Sequence, residues 1–395
     1  TMAAKRAEAQ ALALDLTDPI ATLTADARFD AYCRQCLLDN TLRGGWPVQL
    51  GGHIYHLYGR KHGDLERDYN AFYLAPEFYP QGNANYRDVA QNRRSDVLLN
   101  PATGDFDVLA FLGLIQADGY NPLVVNGSRF TVPAGRQASL LALVDRGEAL
   151  RPLLSQPFTP GGLLQGIAKG EIGLAVSPQE FIGAVLTQAD ATFEATFGEG
   201  YWVDHWIYNL DLLDAYLAVY PDRKDELLYG GAVVPYFDSP AFVQPRKGKT
   251  VLAGPGKVRQ YGAVIVDEEK AALIASRCQT PNLARTAHGR GEVFRTTVFG
   301  KLLGLALIKF STLDPLGMGI EMEAGKPGWC DALNGLPGLF GSSMSETYEL
   351  LRLLQFLLAE VTAGGEAAAP LGTVSGRTVS LPVELADLLR QLVTQ

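Results

Sequence analysis

Apolar residues recur at helical spacing in six stretches of this chain. Residues 3–15 and 28–39 predict helices, the second with Phe29, Tyr32, Cys33, Cys36 and Leu37 on one face. Trp206, Leu210, Leu213, Leu217 and Tyr220 alternate spacings of four and three, an apolar stripe that ends at "YPD". Residues 295–310 and 346–362 predict long apolar helices. The latter is preceded by Ser343-x-x-Glu346, a capping-box pattern, and closes at Gly364-Gly365. A shorter helix over 381–393 repeats the stripe at Leu385, Leu388, Leu389 and Leu392. Strand patterning is sparse, and the clearest case is "LVVNGSRFTV". Two β-rich runs joined by Asn126-Gly127 predict a hairpin with a type I′ turn. No strand–helix alternation, G-x-G-x-x-G or P-loop is present, which disfavours a nucleotide-binding fold.

Between the helices run long stretches dense in aromatic and polar residues: 44–84, 195–209, 230–262 and 311–344. Gly and Pro number 42 and 22 of 395 residues, about 16% against about 12% in average usage. Loops of this length in an all-α chain line sites. The predicted architecture is therefore all-α, with antiparallel helical hairpins in a ring, loops over one mouth and one small β-hairpin. Composition supports a folded chain, with 47% hydrophobic and 19% charged residues. A net charge of −9 argues against nucleic acid or an anionic membrane as partner, because binding to either draws on basic residues. No apolar run reaches the length of a membrane span, and the charged, Ala-rich opening does not read as a signal peptide. The cysteines, Cys33, Cys36, Cys278 and Cys330, are scattered as reduced cytoplasmic thiols would be.

Four stretches carry candidate chemistry. In "NANYRDVAQNRRSD" a helix from Tyr86 would place Arg87, Gln91 and Arg94 on one face and Asp88, Asn92 and Ser95 on the next. That ridge is either a solvated, Asn-capped helix start or a set of donors and acceptors for sugar hydroxyls. In "GEGYWVDHWIYNLDLLDAY", Trp202, Asp204 and His205 suit sugar stacking and hydrogen bonding, whereas Trp206 belongs to the core stripe and a helix cap equally explains Asp204 and His205. His53-x-x-His56 would bind zinc only on a helix, which Gly51-Gly52 and Gly59 oppose. In "EAGKPGWCDALNGLPGLFG", Asp331 beside Trp329 is either a cap for "DALNGL" or an acid whose pKa an indole would raise.

Tyr86-Arg87-Asp88-Val89-Ala90-Gln91-Asn92 and, later in the chain, Trp329-Cys330-Asp331-Ala332-Leu333-Asn334 resemble two motifs of the inverting glycoside phosphorylases of the cellobiose phosphorylase type and their β-glucan phosphorylase relatives. Asn92 stands where that family has Asp, and Cys330 where it has Asn. The resemblance implies an (α/α)6 toroid, incomplete in this chain, over residues 27–395, with 1–26 as a linker helix. It implies Asp331 as general acid. Arg87, Asp88, Gln91, Trp329 and Asn334, with Trp202, Asp204 and His205, would bind substrate. Phosphate would be the nucleophile and co-substrate, giving α-glucose 1-phosphate from a β-linked gluco-oligosaccharide, with no metal or cofactor and a cytoplasmic location.

The family's phosphate site draws on a histidine after the Trp-x-Asp motif, and none follows His288 here. The chain therefore reads as a segment of a larger enzyme, paired as a homodimer or associated with the remainder. Two alternatives stay open. One is an inverting β-glucan hydrolase with Glu321, Glu323 or Asp204 as base, about 6.5–9.5 Å from the acid. The other is a non-catalytic carbohydrate-binding segment or subunit.

Overall fold

The computed structural model describes residues 1–58, 74–198, 201, 205–231, 233–248, 250–260, 263–278, 280–314, 316–321, 342–362 and 378–394. Helices α1 (Met2–Thr17) and α2 (Ala27–Gly44) open the chain, followed by strands β1 (Trp46–Leu50) and β2 (His53–Leu57). Strand β3 (Ala84–Asn85) feeds α3 (Tyr86–Arg93) and α4 (Asp96–Leu99). Next come α5 (Phe106–Gly113), β4 (Val124–Thr131), α6 (Ala138–Leu141), α7 (Gly147–Ser155), α8 (Pro160–Lys169), α9 (Pro178–Gln188) and β5 (Asp190–Thr196). After α10 (Tyr208–Val219) and α11 (Lys224–Tyr229) lie β6 (Val234–Pro235), β7 (Ala241–Val243), β8 (Thr250–Gly254), β9 (Lys257–Gln260) and β10 (Val264–Val266). The last part comprises α12 (Glu268–Ala275), the single turn α13 (Thr286–Gly289), β11 (Arg295–Thr296), α14 (Val298–Ser311), β12 (Ile320–Glu321), β13 (Ser342–Ser343), α15 (Met344–Thr362) and α16 (Val383–Thr394).

The expected all-α toroid is not the architecture found. The structure is mixed, with 53% helix and 17% strand, and the strands of the described residues form six sheets of two or three strands. Helices are found where periodicity placed them at α1, α2, α10, α14, α15 and α16. Stretches 44–84 and 230–262, expected as loops, hold most of the missed strands, each too short for alternation to show. The β1–β2 ladder joins Leu50 directly to His53 across Gly51 and Gly52, whose φ values of 55° and 90° suit a two-residue hairpin turn. The hairpin expected at Asn126-Gly127 is instead continuous strand, β4, which sits between β3 and β5. Gly127 has φ 95°, and the Gln81 amide closes around it, donating to Ser128 O (2.6 Å) and accepting from Ser128 N (3.0 Å). A side chain thus takes the backbone bonds that a turn would have supplied.

The chain divides into two compact units, residues 1–104 with 125–194, and residues 105–124 with 195–395. In the first, α6–α9 cover the aromatic faces of β2 and β4. Tyr55, Phe130, Leu150, Leu154, Phe181, Val185 and Leu186 form its centre, each stabilising by about 1.5–3 kcal/mol on burial. Helix α9 starts with a capping box in which Ser177 and Glu180 bond each other's backbone N–H (3.2 and 3.0 Å). Phe29 and Tyr32, which share one face of α2, are exposed.

In the second unit, α14 is buried along most of its length. Its Lys301 donates to the carbonyls of Ile115 (2.5 Å) and Pro235 (2.8 Å), with the Tyr236 ring 3.4 Å away. No described helix is long and apolar enough to cross a membrane.

Candidate functional site

Helix α3 is not a solvated helix start. Asn85, in extended conformation, accepts from Arg87 N at 3.0 Å and starts the helix. Tyr86, Val89 and Ala90 then turn into the core. Arg87 follows them inward and is only 7% exposed. A guanidinium in that position needs a charged acceptor. Asp88 supplies it, with Oδ1 receiving Arg87 Nε at 3.0 Å and Nη2 at 2.9 Å. Both contacts use the same carboxylate oxygen. The other, Asp88 Oδ2, is buried and has no hydrogen-bond partner among the described residues. Gln91 lies one turn further on, half-buried, while Arg94 and Ser95 face solvent. Arg87, Asp88 and Gln91 are therefore held on one rigid helix.

The far end of α3 is fastened by a buried network that sequence reasoning missed. Arg93, at 3% exposure, donates to Gly45 O (2.8 Å) and places Nε 3.1 Å from Asp96 Oδ2. The same oxygen is 2.9 Å from His56 Nε2. Burial and then the neighbouring Arg93 lower the His56 pKa to about 4, outweighing the pull of Asp96 in the other direction. The ring is neutral at neutral pH, and its Nε2–H donates to Asp96 Oδ2. His53 and His56 sit three apart on β2, on opposite faces. His53 Nε2 instead approaches Ala189 O at 3.2 Å. The Arg93–Asp96 contact is an i, i+3 pair visible in the sequence, but nothing local points to His56.

In the second unit, His205 is buried at 1% exposure, with Nδ1 3.3 Å from Asn121 Nδ2. Trp206 is a core residue whose indole N–H donates to Glu346 Oε1 at 2.8 Å. The Lys309 ammonium lies 4.9 Å from the Tyr120 ring centroid and 5.4 Å from that of Trp206. Tyr120 stacks on Tyr201 at 5.0 Å. Asp118 accepts from Gln116 Nε2 and Tyr120 N, yet burial raises its pKa. These polar groups bond to one another and hold the aromatic rings in fixed orientations. Glu321, a candidate base, is buried on β12. Trp202, Asp204, Glu323, Trp329, Asp331 and Asn334 lie outside the described residues.

No family model and no curated protein matches this chain. The functional argument therefore rests on the residues themselves, and the Arg87–Asp88 pair is one described feature with an acceptor still open.

Proposed function

We propose that the chain acts on a β-linked gluco-oligosaccharide by inverting phosphorolysis, releasing α-glucose 1-phosphate. The observation that carries this reading is Asp88 Oδ2, a buried carboxylate oxygen without a partner among the described residues, beside a guanidinium that fixes the other oxygen. An acceptor left in that state costs about 1–3 kcal/mol, which a ligand hydroxyl would recover. Arg87 and Asp88 are also the residues that the first motif assigns to a glucosyl unit. Asp331, from the second motif, would protonate the departing oxygen while phosphate attacks the opposite face. The reading takes phosphate as co-substrate, needs no metal or cofactor, and places the chain in the cytoplasm.

The test is consumption of laminari-, cello- and sophoro-oligosaccharides with and without phosphate. Turnover that requires phosphate, and that Asp331→Asn removes, supports the proposal. Equal release of free glucose in both conditions sinks it in favour of hydrolysis. A second reading, a carbohydrate-binding segment without chemistry of its own, is favoured by the fold, which lacks the ring of helices expected to present the acid. In that case oligosaccharide binding would survive Asp331→Asn, fall with Asp88→Asn, and accompany no turnover.

A further inference from the structure

One aromatic ring of the first unit stands in solvent on a backbone held from several sides. Phe78 is 73% exposed, whereas Tyr79 beside it packs against the core of that unit. Tyr79 has a φ of 54°, a left-handed conformation that a bulky L residue rarely adopts and that persists only where its surroundings enforce it. Tyr55 OH donates to Tyr79 O (2.9 Å), Gln165 Nε2 to Pro76 O (2.9 Å) and Tyr58 N to Pro80 O (2.9 Å). The Glu77 carboxylate accepts from Thr159 Oγ1 at the N-cap of α8 (2.9 Å). Gly161 of α8 comes so near that a Cβ there would lie 2.0 Å from Phe78 O. The segment is thus fixed through its carbonyls and its neighbours, which leaves the Phe78 ring open to solvent.

A fixed, exposed ring offers a flat apolar face at little cost in conformational freedom. Among the described residues from 33 to 97, no other large apolar side chain is exposed. The segment therefore presents one ring, not the run of apolar groups that a protein partner covers. It continues without a break through Asn83, also exposed, and Asn85 into α3, where Asp88 Oδ2 lies. A pyranose ring has an apolar C–H face and hydroxyls at its edge. This one stretch of chain holds a group for each, an aromatic face for the first and a carboxylate oxygen for the second.

We propose that Phe78 is a stacking platform for a pyranose ring of the oligosaccharide, at a subsite separate from that of the glucosyl unit assigned to Asp88. This platform rests on the carbohydrate reading, and it adds a residue that neither motif contains. Longer substrates would span both places and shorter ones would reach Asp88 alone.

The experiment is titration calorimetry of the full chain with glucose, cellobiose, cellohexaose, laminaribiose and laminarihexaose, for the wild type, Phe78→Ala, Phe78→Trp and Asp88→Asn. Phe78 is exposed, so its replacement should leave the unfolding midpoint in place. The expected result for Phe78→Ala is a hexaose dissociation constant about three- to tenfold higher, the size of one lost stacking contact, with glucose unchanged. Phe78→Trp should restore hexaose binding, and Asp88→Asn should weaken glucose and hexaose alike. Hexaose constants that Asp88→Asn raises and Phe78→Ala leaves alone overturn the platform while the carbohydrate reading stands. So does an effect of Phe78→Ala that is equal for glucose and hexaose. A hexaose effect of Phe78→Ala alongside an indifferent Asp88→Asn upholds the platform and removes Asp88 from the site. A wild type that binds none of these sugars overturns both.

Discussion

Acidification tests the network beneath α3 directly. His56 has a folded-state pKa of about 4 against an ordinary value of 6.5. Above 6.5 the ring is neutral whether the chain is folded or not, and the network is at full strength. As pH falls through the window from 6.5 to 4, the unfolded chain takes up a proton that the folded chain refuses. Stability is lost over that interval. Each pH unit is worth about 1.4 kcal/mol, so the loss is about 2 kcal/mol by about pH 5 and about 3 kcal/mol when complete. The assay is urea unfolding of the wild type and His56→Gln at a series of pH values, comparing extrapolated free energies. Glutamine keeps a donor for Asp96 but cannot titrate. The difference between the two proteins isolates His56 from other groups, such as Glu194 and Asp118, whose pKa values burial raises. Parallel pH curves for the two proteins would refute the reasoning.

Lys301 makes the corresponding alkaline prediction. Its pKa is lowered well below 10.5 by burial, so the wild type gains stability as pH rises towards that value. Lys301→Met should flatten the gain and cost about 1 kcal/mol for each carbonyl left without its donor, both readable from unfolding curves. Gly127→Ala places a Cβ 2.4 Å from Gln81 Oε1 at a φ of 95°. It should destabilise by about 1–3 kcal/mol, whereas an unchanged midpoint would contradict the strained, side-chain-bridged strand.

Much of the helical content was legible because burial imposes a period that residue types reveal. Trp206, Leu210 and Leu213 are buried as their spacing demanded. Strands of two to five residues carry no such period. Trp46–Leu50 and His53–Leu57 become a ladder through two glycines with positive φ and through contacts distant in sequence. Asn126-Gly127 shows the converse, a strong local turn signal overridden by Gln81 from 45 or more residues away. On α2, Phe29 and Tyr32 satisfied the helical pattern yet remain exposed, since a period says which residues share a face and not whether that face is covered. At the candidate site, the sequence placed Arg87 and Asp88 on adjoining helix faces, and their pairing through Asp88 Oδ1 appears only in the structure. The burial of Arg87 and Arg93 was likewise not legible, because only tertiary partners make a buried guanidinium tolerable. The His56–Asp96–Arg93 network joins residues up to 40 apart, and no local motif encodes it.

The central claim is tested most directly by following the products formed from a β-linked gluco-oligosaccharide in phosphate buffer by phosphorus and proton nuclear magnetic resonance. The account predicts α-glucose 1-phosphate as the first sugar phosphate to appear, no product without phosphate, and a drop of roughly 10²-fold or more for Asp331→Asn, in line with loss of a general acid. Appearance of free glucose without any sugar phosphate, α-glucose in the case of an inverting hydrolase, or turnover indifferent to Asp331→Asn, would contradict it.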